Sequence, residues 1–189
     1  EPPDLWRDRV PAHLKDRAPY MAKEPDGDYW VLYEGYKMPL GLQAMAGRKY
    51  EDYRVSGIRF EDTLPGTYEP KARLKDMDLD GVDAQVLYPN HGMSAGTLQD
   101  DEMRMACTKA YNDWLSEFCS TDPQRLVGIA VIPIFDTENA LTEVHRVSKL
   151  EGLGGTYVPS FPTELGGKPF SEPIYDPFWE ASQESNLPV

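Results

Sequence analysis

Residues 126–132 read Leu-Val-Gly-Ile-Ala-Val-Ile, an apolar run with no polar interruption. A strand of that kind needs cover on both faces, which is the setting of a central strand in a parallel sheet. Parallel neighbours cannot be joined by a tight turn; they need crossover connections, usually helices. The flanking sequence supplies them. Over about 101–120, Met103, Ala106, Ala110, Trp114 and Phe118 step by three or four, which predicts a helix. After the run, Asp136 is a candidate N-cap for a helix carrying Leu141, Val144 and Val147, which Gly152 and Gly154 end.

The alternation extends in both directions. Pro70 suits a first helical position, and Leu74 and Met77 give a short apolar stripe up to Gly81. Ala84-Gln85-Val86-Leu87-Tyr88 reads as a strand, followed by a loop over residues 89–96. Thr156-Tyr157-Val158 reads as the next strand. Asp176-Pro177 opens a helix through Ser185 with Asn186 as a C-cap, and Leu187-Pro188-Val189 begins a further strand. Alternating helices and strands mean parallel strands with crossovers, an α/β fold. A (β/α)8 barrel and a doubly wound sheet both satisfy it. A barrel takes roughly 250 residues, so residues 70–189 are expected to be about the first half of a TIM barrel. Open strand edges are then expected on the side of residues 127–132 or its neighbours.

Residues 1–69 differ. Pro2, Pro3, Pro11, Pro19, Pro25, Pro39 and Pro65 interrupt any long element. Only Tyr29-Trp30-Val31-Leu32-Tyr33 reads as a strand, with a turn at Glu34-Gly35. This segment is expected to be a long irregular N-terminal excursion, of the sort often used as functional loops.

Composition excludes some partners. A net charge of −13 argues against nucleic acid, whose phosphates need clustered Lys and Arg. No apolar run approaches the roughly 18 residues of a membrane helix, and no signal peptide opens the chain. Cys107 and Cys119 share one helical pattern, so they suit buried reduced thiols in a cytoplasmic protein better than a metal clip or a disulfide.

Few local motifs carry chemistry. Asp76-Met77-Asp78-Leu79-Asp80-Gly81 starts like a calcium loop, but the twelfth position is Leu87 instead of a bidentate Glu. No glycine-rich phosphate loop follows a strand. Of the three histidines, His145 falls on a polar helix face and His13 in a Pro-rich stretch, whereas His91 follows a strand on the side where barrels place their sites. The same logic selects Tyr88 and Asn90 after the first strand, Pro133 and Phe135 after the next, and Tyr157, Pro159 and Ser160 after the third. Arg48, Arg54 and Arg59 lie among Tyr50, Tyr53 and Phe60; Arg48 is a candidate for holding a substrate carboxylate, against the alternative of surface salt bridges.

Several segments, in order, resemble the amidohydrolase-related family, whose best-known members are of the aminocarboxymuconate-semialdehyde decarboxylase type. They are Glu1-Pro2-Pro3-Asp4-Leu5-Trp6, residues 75–83 (Lys-Asp-Met-Asp-Leu-Asp-Gly-Val-Asp), Tyr88-Pro89-Asn90, Ala110-Tyr111-Asn112-Asp113-Trp114, Pro123-Gln124-Arg125-Leu126 and Tyr175-Asp176-Pro177-Phe178-Trp179. The resemblance implies a (β/α)8 barrel holding a divalent metal, zinc or manganese, that acts on a small carboxylated or cyclic substrate. It also implies a homodimer with the excursion near the contact. In such relatives an Asp-x-His-x-x-Glu motif precedes Pro-Pro on the first barrel strand, a His follows the fifth strand, and an Asp lies near the eighth. Only Glu1 matches that set. The chain is accordingly expected to be a fragment cut beside two metal-ligand strands, too incomplete to hold the metal. The competing expectation is a complete, non-catalytic α/β binding module.

Overall fold

The computed structural model describes residues 1–32 and 35–189, so Tyr33 and Glu34, assigned above to a strand and a turn, lie outside the described residues. The chain divides into two compact units, Glu1–Gly81 and Val82–Val189.

The first unit is more regular than its prolines suggest. Helix α1 (Leu5–Arg9) is followed by strands β1 (Tyr20–Glu24), β2 (Gly27–Val31) and β3 (Lys37–Pro39), and the unit ends with helix α2 (Pro70–Asp80). The strands form an antiparallel sheet in chain order. The sequence reading missed β1 and β3. β1 has no β-branched residue and β3 is only three residues long, so neither has a clear propensity signal. The signal that was present is Pro25-Asp26-Gly27, a turn between strands paired from Glu24↔Gly27 onward. Gly27 has φ 134°, a conformation open to glycine.

This unit is held by an aromatic contact and a buried ion pair. Trp30 of β2 is buried and meets Trp6 of α1 edge-on, with centroids 5.6 Å apart. Asp28, 2 % exposed, accepts hydrogen bonds from Arg59 Nη1 and the Phe60 amide, both at 2.9 Å. Arg59 also donates to the carbonyls of Glu24 (2.7 Å) and Pro25 (3.2 Å), clamping the β1–β2 turn from a distant loop. The acidic run Asp76-Asp78-Asp80 lies in the last turns of α2, so it is a charged helix end and no calcium loop.

The second unit holds the expected alternation. Its elements are β4 (Gln85–Leu87), α3 (Gly92–Ala95), α4 (Asp101–Cys119), β5 (Leu126–Val131), α5 (Thr137–Val147), β6 (Leu153–Tyr157) and α6 (Asp176–Glu184). The strands pair in parallel in the order β4-β5-β6. No closed barrel is present among the described residues: the architecture is α/β with a three-stranded parallel sheet. Asp100 and Asp136 cap α4 and α5, accepting from the Met103 and Asn139 amides. The residues after α6 are not a strand, but Pro188 lies beside β6, its carbonyl accepting from the Thr156 amide at 2.7 Å.

Three details correct the sequence reading. Residues 89–96 contain α3 and are not all loop. The buried stripe of α4 runs through Met103, Cys107, Ala110, Tyr111, Leu115 and Phe118, whereas Ala106 and Trp114 are half-buried. Gly154 lies inside β6 as a bulge residue, since Gly128 pairs with Leu153 and Ile129 with Gly155. β5 is paired on both sides, so the outer strands of the sheet are its neighbours β4 and β6, within the expected region.

The sheet is covered unequally. Ala130 and Ile132 pack with Ala140, Val144 and Val147 of α5 and with Phe178 and Ala181 of α6. By strand alternation the opposite face carries Val86, Val127, Ile129, Val131 and Tyr157. There Val86 is 56 % exposed, Val127 and Tyr157 are half-buried, and Ile129 and Val131 are buried.

Two expected outcomes follow from these contacts. Arg59→Ala leaves the buried Asp28 carboxylate with the Phe60 amide alone and should destabilise the first unit by about 2 kcal/mol. Urea unfolding followed by tryptophan emission measures this, and a change under about 0.5 kcal/mol would contradict the clamp. Burial pushes the thiols of Cys107 and Cys119 up to about 12. Both should therefore stay protonated and unreactive toward Ellman's reagent at pH 8 while the chain is folded, and react once it is unfolded.

Candidate functional site

In a parallel sheet all strands point the same way, so the segments leaving β4, β5 and β6 emerge along one edge. Along that edge stand Tyr88, Asn90 and His91 after β4, Pro133 and Phe135 after β5, and Tyr157 and Ser160 at and after β6. These candidates all belong to the second unit. Arg48 and Glu1 belong to the first unit.

The candidates differ in presentation. β4 stops at Leu87, and Pro89 has no amide to extend the ladder. Tyr88 is 72 % exposed, and Asn90 is exposed. Asn90 and His91 open α3 through their carbonyls, which accept from the amides of Met93 (3.2 Å) and Ser94 (3.0 Å). His91 is buried. α3 is packed tightly: a Cβ on Gly92 would lie 2.6 Å from the Tyr111 ring, and one on Gly96 would lie 2.9 Å from Val131 Cγ1. Tyr157 is half-buried, its carbonyl accepting from the Ile132 amide at 3.0 Å, and Ser160 is exposed. His13 and His145 are exposed.

Arg48 donates to the carbonyls of Ala44 (3.3 Å) and Asp62 (3.0 Å). These bonds tie the segment before residue 48 to the 3-10 turn Phe60–Asp62. Glu1 is half-buried. Among the described residues no group of three or more His, Cys, Asp or Glu side chains is placed to hold a metal ion. The described residues therefore do not by themselves fit a metal centre.

Sequence reasoning missed a polar network behind the edge. Asn112 and Glu143 are fully buried. The Asn112 carboxamide accepts from the Val131 amide at 2.8 Å and donates to the Val131 carbonyl at 2.9 Å. Its nitrogen also donates to Glu143 Oε1 at 2.8 Å. Arg146 grips Glu143 through Nε (2.8 Å) and Nη2 (2.7 Å) and reaches Asp113 through Nη1. The hydrogen bonds it donates to Glu143 hold the Arg146 guanidinium well above its ordinary pKa; burial opposes them and the bond to Asp113 adds to them. A fork of that kind needs a planar guanidinium. Arg104 was missed as well. It is 7 % exposed, donates to the Leu98 carbonyl and to Asp101, and lies 6.0 Å from the Phe135 ring at the end of β5. The available signal was a polar residue on an otherwise buried helix stripe, with Glu143 and Arg146 one turn apart.

No protein-family model matches the chain. The chain is 29 % identical over 165 residues to gamma-resorcylate decarboxylase of Rhizobium radiobacter, covering 84 % of this chain and 47 % of that protein. It is 25 % identical over 135 residues to 2-amino-3-carboxymuconate-6-semialdehyde decarboxylase of Dictyostelium discoideum, covering 71 % of this chain and 36 % of the relative. The chain thus spans under half the length of these curated relatives. Among solved structures, 2,6-dihydroxybenzoate decarboxylase from Rhizobium aligns with TM-score 0.53 and 28 % identity over 61 % of this chain and 36 % of that one. The manganese-bound 5-carboxyvanillate decarboxylase of Novosphingobium aromaticivorans aligns with TM-score 0.53 and 27 % identity, over 61 % of this chain and 32 % of that one. An amidohydrolase from Mycobacterium avium subsp. paratuberculosis shares the fold over 100 % of this chain and 54 % of its own, with TM-score 0.65 and 20 % identity. The chain is thus similar in sequence to gamma-resorcylate and 2-amino-3-carboxymuconate-6-semialdehyde decarboxylases, and in backbone to solved decarboxylases and to an amidohydrolase.

Proposed function

We propose that this chain is about the first half of a (β/α)8 barrel from a metal-dependent enzyme that decarboxylates, or hydrolyses, a small aromatic carboxylate. The observation that carries this reading is the unequal cover of the sheet. Helices cover one face, while the other buries Ile129 and Val131 but leaves Val86 exposed and Val127 and Tyr157 half-buried. A parallel strand expects cover on both faces, and in a barrel the inner face is covered by the barrel's other strands. The second support is chemical. The homologues act on carboxylates by name, and the residues leaving β4 and β6 offer hydrogen-bonding groups along one edge.

In this reading residues 1–69 form an excursion and residues 70–189 the βα units. Tyr88, Asn90, His91, Tyr157 and Ser160 of the second unit line the substrate pocket. Non-oxidative decarboxylation breaks the bond between ring and carboxylate, releases carbon dioxide and puts a proton on the ring carbon. The groups in this set able to carry a proton are His91 and the two tyrosine hydroxyls. A divalent ion, zinc or manganese, belongs to the proposal for the whole protein. The described residues do not provide its ligand set, and Glu1 is the candidate this chain contributes. A cytoplasmic homodimer acting on a small molecule, without nucleic acid or membrane as partner, completes the reading. Among the described residues no helix is long and apolar enough to cross a membrane. The alternative, a complete non-catalytic α/β module, would be expected to cover both faces of its sheet.

The test incubates the whole protein that contains this chain with 2,6-dihydroxybenzoate and follows carbon dioxide release. Turnover should disappear with a chelator and return with manganese or zinc. Turnover indifferent to chelation, or none with any hydroxybenzoate or carboxymuconate substrate, would overturn the reading. The 189-residue chain alone should show no turnover, and metal-dependent activity from it would defeat the half-barrel proposal.

A further inference from the structure

The geometry points to Asn112 as a positioning residue that fixes the C-terminal end of β5, and with it the segment that leads from β5 into the strand-end edge. The inference deepens the proposed function and rests on it in one respect, namely that this edge lines the pocket.

β5 needs such a device because its neighbour is too short. β4 pairs with Leu126, Val127 and Gly128 only. The amide and carbonyl of one strand residue point to the same side, and successive residues alternate. The Ile132 amide reaches Tyr157 of β6, so the peptide groups of Val131 point toward β4, which has already ended. Asn112 occupies that place. A carboxamide carries a donor and an acceptor side by side, as a peptide group does, and it bonds both groups of Val131.

The carboxamide is itself held. The hydrogen-bonding acceptor Glu143 fixes its nitrogen, and Arg146 fixes Glu143 by a two-point grip. The network joins α4, β5 and α5 through groups that are fully buried at Asn112 and Glu143. Two residues beyond Val131 the chain turns at Pro133, and the Ile134 amide bonds back to the Ile132 carbonyl at 2.9 Å. Val131 also faces Tyr157 in the β5–β6 register. A shift at Val131 therefore passes to the β5 exit and to Tyr157 together. Aspartate cannot replace asparagine here. It lacks the donor for the Val131 carbonyl and would place a second carboxylate against Glu143.

The test compares wild type with Asn112→Asp and Asn112→Ala in two measurements. The first is amide exchange by NMR on the 189-residue chain, with Gly128, bonded to the Gly152 carbonyl at 2.7 Å, as the internal reference. The Val131 amide should exchange about tenfold faster or more relative to Gly128. Equal acceleration at both sites would mean general loosening and would overturn the inference. Should either variant fail to fold, Glu143→Gln, which keeps an acceptor for Asn112 but weakens the Arg146 grip, should give a smaller acceleration confined to Val131 and Ile132. The second measurement is steady-state kinetics on the whole protein with 2,6-dihydroxybenzoate. KM should rise and kcat fall together, by several-fold each. A lowered kcat with KM unchanged is what loss of folded protein produces, and would overturn the positioning role. If wild type turns over nothing, the functional reading fails while the exchange result still decides whether Asn112 fixes the strand end.

Discussion

Val131 would be the weak point of the second unit if its peptide groups were left without partners. It is buried, its neighbour strand stops three residues earlier in register, and an unpaired buried amide and carbonyl each cost on the order of 1–3 kcal/mol. The Asn112 side chain satisfies both groups from a helix. In doing so it ties α4 to the sheet by directed bonds as well as by packing. Glu143 and Arg146 then make the tie rigid, because a buried carboxylate without its counter-charge would be costlier still.

Much of the local architecture depends on this arrangement. With Val131 capped from the side by Asn112, β4 can end early and turn away at Pro89. The freed chain builds α3, which packs Gly92 against Tyr111 and Gly96 against Val131. That path buries His91 and leaves Tyr88 at the rim. The burial contrast among the strand-end residues is thus a result of where β4 stops. On the other side, the bulge at Gly154 lets β6 follow β5 past Val127, whose side chain leaves no room for a Cβ there.

The sequence carried the second unit well and the first unit poorly, for separate reasons. Helix and strand periods over residues 101–157 are long enough to be read, and caps such as Asp136 act locally. The antiparallel sheet of the first unit rests on a turn signal, Pro25-Asp26-Gly27, and on Arg59 meeting Asp28 from 31 residues away. Nothing in a propensity or a period announces such a pair. The stripe of α4 shows a subtler limit: the spacing was right, but the face was misjudged by one residue, because Trp114 is large enough to look like core while it lies at the margin. At the candidate site, strand ends could be located from the pattern, whereas Asn112 looked like an ordinary helix residue. Its role depends on the length of a strand 25 residues earlier, and no local reading reaches that far.

The strand order of the second unit also bears on how it is made. β4, β5 and β6 are neighbours in space in the order of synthesis. Each strand emerging from the ribosome would find its partner already present, one helix upstream, and could dock before the next appears. Asn112 lies between β4 and β5 in the chain, so it is available when Val131 arrives. Glu143 and Arg146 follow only afterward, with α5. The fold can thus be assembled vectorially, first seated by a neutral amide and later locked by charge, so that no ionised side chain has to be buried before its counter-ion exists.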